Sequence, residues 1–77
     1  MFVIKHHGIG EFFNGFRHTY IGDRPQTIPL WASPENSMQI VVYENHDTVT
    51  EALEDLHRMY SGEEFAQIIA HRINFGS

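Results

Sequence analysis

The alternation of apolar and polar positions is clearest between Met38 and Met59. Met38, Ile40 and Val42 fall on one face of an extended segment, and Gln39, Val41 and Tyr43 fall on the other. β-Branched and aromatic residues suit a pleated surface, so this stretch predicts a strand over 38–43. Glu44-Asn45-His46-Asp47 supplies turn chemistry. The period then changes. Val49, Ala52, Leu53, Leu56, Met59 and Tyr60 recur at three-and-four spacing, with Glu51, Glu54, Asp55 and Arg58 on the opposite side. This predicts an amphipathic helix over 48–60. Thr48 and Glu51 have capping-box spacing, Asp47 competes for the cap, and Ser61-Gly62 ends the helix.

The flanking segments carry weaker patterns. Met1 to His6 alternates as a first strand, and residues 11–21 read as a returning strand. Two turn signals compete there: His7-Gly8-Ile9-Gly10 and Asn14-Gly15. Residues 22–37 read as a connection, because Pro25, Pro29 and Pro34 remove ladder donors. Within it, Trp31 either pins the connection to the core or stands out as a binding anchor. Glu63 to Phe75 fits helical spacing through Phe65, Ile68, Ile69 and Ile73, and strand spacing through Phe65, Gln67, Ile69, His71, Ile73 and Phe75. A small core needs a closing strand, which favours a strand over 65–74, placed parallel to 38–43 by a right-handed crossover.

The predicted fold is therefore α+β in a single domain over residues 1–77. It has a three- or four-stranded, mostly antiparallel sheet, made of an N-terminal hairpin, strand 38–43 and strand 65–74. One amphipathic helix, 48–60, packs on one face.

Charge narrows the function classes. The net charge is −5. In residues 1–30, Lys5, Arg17 and Arg24 outnumber Glu11 and Asp23 by one; beyond residue 30, eight acids face only Arg58 and Arg72. Direct nucleic-acid binding needs clustered cations, so none is expected. No apolar run reaches membrane-spanning length and no signal-peptide core is present, so a cytoplasmic protein without membrane contact is expected. The chain has no cysteine, which excludes disulfides and zinc–thiolate sites.

The six histidines show no metal-ligand spacing: His6 and His7 point to opposite faces of a strand. No metal or cofactor is expected. The serines lack an elbow motif, and the glycines make no phosphate loop. A non-enzymatic role is the expectation. Glu51, Glu54, Asp55, Glu63 and Glu64, together with Trp31, are the candidate partner-binding residues. Acidic surface beside a sheet edge suits a protein partner with a basic surface.

The order VVYEN-HDTVTEALEDL, a glycine turn, then FAQIIAHRI resembles small bacteriophage accessory proteins with strand–helix–strand cores. It is similar in organisation to phage inhibitors of bacterial RNA polymerase. The opening FVIK and FFNGF segments are similar to hairpin-first phage proteins. The proline-bearing 22–37 connection and the aromatic hairpin depart from that pattern. The resemblance implies a class that acts by stoichiometric binding to a host protein, including nucleic-acid-handling machinery. It carries over no individual residue. The alternative readings are a homodimeric structural or regulatory protein, paired through open sheet edges, and a metal- or ligand-binding protein.

Overall fold

Four strands form one antiparallel sheet in the order β3-β2-β1-β4: β1 Phe2–His6, β2 Glu11–Ile21, β3 Arg24–Ala32 and β4 Ile68–Arg72. The helix α1, His46–Met59, packs on one face, and the short α2, Gly62–Ala66, leads into β4. The computed structural model describes residues 1–35 and 40–73. The chain is an α+β domain. Its core joins Ile4 and Phe13 from the sheet, Ile68 from β4, and Val49, Ala52 and Leu56 from the helix.

The helix follows its apolar stripe. Val49, Ala52 and Leu56 are buried, Leu53 and Tyr60 are half-buried, and Met59 is exposed. Its cap lies earlier than Thr48 or Asp47. Asn45 Oδ1 accepts from the Thr48 amide at 2.9 Å, while the Thr48 hydroxyl donates to the Asn45 carbonyl. An Asn side chain at the cap satisfies an amide that the helix cannot.

The turn at 7–10 joins β1 to β2, and Asn14-Gly15 is a bulge within β2. Phe13 lies opposite Trp31 but Phe16 lies opposite Pro29, so β2 holds one residue more than β3 across this stretch. The extra residue has a clear effect. In a regular strand Phe13 and Phe16 would face opposite sides; here both rings face the core, 4.9 Å apart. Gly15 carries the bulge at φ +100°, which side-chain-bearing residues rarely adopt.

Of the expected strand 38–43, the described part, 40–43, forms no strand. Met38 and Gln39 lie outside the described residues, and Ile40–Tyr43 make no ladder. Instead, the Val41 amide bonds the Phe13 carbonyl at 3.0 Å, and Phe2 and Tyr43 form an isolated antiparallel bridge. The paired registers of β1 and β2 cover only Lys5–Phe12 and His6–Glu11. Residues 41–43 thus act as a wedge where β2 diverges from β1. Tyr43 in this wedge has its phenol pushed up, first by burial and second by the nearby Asp55 carboxylate. The folded state therefore holds the phenolic proton more tightly than the unfolded chain. The contribution of Tyr43 to stability should be fully present below pH 10 and be lost as pH rises above it. Tyr43→Phe should flatten that alkaline decline in a denaturation series, and an unchanged slope would contradict it.

The 22–37 connection is also corrected. Residues 24–32 form β3, an edge strand, where proline is tolerated because its missing amide faces outward. The C-terminal strand is β4, with residues 62–66 helical before it, and it pairs antiparallel to β1 from Phe2–Arg72 to His6–Ile68. It is not parallel to 38–43. Asn74, at the end of the expected strand, and Phe75 lie outside the described residues.

Candidate protein-binding surface

The acidic residues separate into two groups. Glu51, Glu54 and Glu63 are exposed, and among the described residues they enter no ion pair. Glu54 borders an open groove of about 430 Å³ between α1 and α2, lined also by Thr50, Leu53, His57, Arg58 and Phe65. The groove exists because Phe65 docks edge-on against His57, with ring centroids 4.4 Å apart, which holds the short α2 beside the helix. Leu53 and Phe65 give it an apolar floor. Glu51 lies one turn before Glu54 on the same helix.

Asp55, Glu64 and Trp31 belong elsewhere. Asp55 is half-buried, accepts from Arg58 at 3.1 Å and lines a second recess with Phe16, His18 and Met59. One step along a helix turns the side chain by about 100°, enough to take it off the Glu51–Glu54 ridge. Glu64 is exposed as well, but its Oε1 comes within 3.5 Å of His6 Nε2. His6 is buried, and its Nδ1 accepts from the Gly8 amide at 3.0 Å. The neutral ring then carries its proton on Nε2, directed at Glu64. Gly8 fits only without a side chain, since a Cβ there would meet Gln67 and the His6 ring.

Trp31 is half-buried and pins β3 to the core. Its ring meets His6 at 5.3 Å and Phe13 at 5.6 Å, and its Nε1 donates to the Tyr60 hydroxyl at 3.2 Å. Its indole is engaged within the chain.

One pair escapes sequence reasoning altogether. His7 and His71 meet across β1 and β4 with Nε2 atoms 2.8 Å apart. Ring centroids at 5.0 Å place the two nitrogens head to head, as in an N–H···N hydrogen bond. Chelation needs both lone pairs to converge on one ion, and among the described residues no third His, Cys, Asp or Glu joins them. The register pairs His71 with Val3, and His7 sits just past β1 with its amide on the Gln67 carbonyl, so no local pattern in the sequence marks this contact.

No family model matches this chain, and no curated protein or solved structure matches it. Among the described residues, no helix is long and apolar enough to cross a membrane.

Proposed function

We propose that the chain is a non-enzymatic protein-binding module whose α1–α2 groove receives a basic, partly apolar segment of a partner protein. The observation that carries this reading is the groove itself: an apolar floor of Leu53 and Phe65 with the Glu54 carboxylate at its rim and Glu51 one turn away. Exposed acids steer a basic partner, and the apolar floor rewards its docking. Glu63, two residues before Phe65, extends the same acidic character. The resemblance to phage accessory proteins supports stoichiometric inhibition of a host protein as the biological use. This reading rests on Glu51, Glu54 and Glu63.

The test is a double reversal, Glu51→Lys with Glu54→Lys, applied to a partner captured from bacterial lysate and then purified. The wild-type chain should bind it at one-to-one stoichiometry, and affinity should fall with added salt. The reversal should weaken binding by on the order of tenfold or more, with circular dichroism unchanged. Binding indifferent to both salt and reversal would sink the proposal.

A further inference from the structure

Beyond the bulge, residues 16–29 of β2 and β3 leave the sheet as a two-stranded arm, which lengthens the molecule to 48 × 26 × 24 Å. Its end is apolar and open to solvent: Tyr20 is 72% exposed and Ile21 66%. A two-stranded ribbon alone is marginally stable in water, so an arm that shares a recess with α1 only near its root, at Phe16, His18 and Thr27, gains from an added strand.

The prolines fix which edge can accept one. Pro25 and Pro29 have no amide to donate, so the pairs Tyr20–Pro25 and Phe16–Pro29, with His18–Thr27 between them, are the non-hydrogen-bonded pairs of the ladder. The closing pair Ile21–Arg24, across a two-residue turn, is hydrogen-bonded in that same phase. Phe16, His18 and Tyr20 consequently turn their backbone N–H and C=O groups away from β3. Among the described residues, no backbone bond from outside the ladder reaches them. The outer edge of β3 is blocked by proline, and among the described residues the outer edge of β2 is open.

We propose that two copies of the chain pair through this edge, β2 to β2, antiparallel about a twofold axis at His18. Three features favour a second copy as the occupant. First, the edge matches itself: Phe16 of each copy falls opposite Tyr20 of the other, and the outward groups of both strands meet in phase. This gives about six backbone hydrogen bonds. Second, the charges avoid one another, since Arg17 faces Thr19 rather than a second Arg17. Third, the lengths agree. In this register Gly22 at the arm's tip reaches Asn14, where the divergence of β2 begins, so the two bodies sit at opposite ends of a four-stranded ribbon. Its outer strands are both β3, closed to further addition by Pro25 and Pro29. This pairing is independent of the groove and of the partner proposed for it.

Sedimentation equilibrium on the full chain up to about 1 mM tests the pairing. The wild-type protein should reach twice its 8.9 kDa mass and go no further. His18→Pro removes an outward donor and spares the β2–β3 backbone ladder, losing only the His18–Thr27 side-chain bond that Thr27→Pro loses as well, and should leave a monomer. Thr27→Pro makes the same change on the outer edge of β3, and should still dimerise. Amide exchange gives a second readout that needs no variant. The His18 and Tyr20 amides should slow as concentration rises, while that of Thr27 does not. A wild-type monomer at about 1 mM, growth beyond a dimer, or exchange at His18 and Tyr20 that ignores concentration would overturn the proposal.

Discussion

Phe13→Ala is expected to destabilise the fold by about 3–5 kcal/mol. The Phe13 ring is fully buried. It meets Phe16 at the root of the arm and Trp31 on β3. Removing the ring opens a cavity where these parts join, and the bulge geometry gives the surrounding backbone little freedom to collapse into it. A chain of 77 residues has stability near the low end of about 5–15 kcal/mol, so the loss is a large share of the total. Urea unfolding followed by the fluorescence of Trp31, the single tryptophan, measures it directly. A cost under about 1 kcal/mol would mean that Phe13 does not hold the core together.

Leu56→Ala should cost about 2–5 kcal/mol for a different reason. Leu56 is fully buried, and it shares the core cluster with Val49 and Ala52 from the helix and Ile4, Phe13 and Ile68 from the sheet. Leu53 provides the comparison. The sequence pattern assigns both leucines to one stripe, yet Leu53 is half-buried on the floor of the groove. Leu53→Ala should therefore cost clearly less than Leu56→Ala in the same urea series. Equal costs would mean that the helix is rotated about its axis relative to this description.

The helix was legible because its signal is local. A three-and-four apolar repeat needs only neighbours in sequence, and turn residues before it mark its start to within a few positions. The sheet was legible in kind but not in layout. Pro25 and Pro29 read as chain breakers, and they are so in a central strand; on the edge of β3 they cost no bond. Asn14-Gly15 carries the same backbone signal for a bulge as for a hairpin turn, and only the pairing of Phe13 with Trp31 separates the two. Ile40–Tyr43 has the composition of a strand, but the divergence of β2 leaves space for a wedge, not for a full ladder.

The surface divides along similar lines. Exposure of Glu51 and Glu54 follows from the helical period alone. The contact of Glu64 with His6 joins residues 58 apart in sequence, and that of Trp31 with Tyr60 joins residues 29 apart. The His7–His71 pair spans 64 residues. Contacts of that separation are set by how the helices and strands come together, which no short pattern encodes.

The pairing of β1 with β4 has a mechanical consequence. The two strands run antiparallel as neighbours, with Phe2 opposite Arg72, and the Ile73 amide bonds the Met1 carbonyl at 2.9 Å. A force pulling these ends apart would act across the ladder rather than along it. It would break the bonds one after another, like opening a zip, instead of shearing them together. The fold therefore offers little resistance to tension from this direction, however well its core is packed.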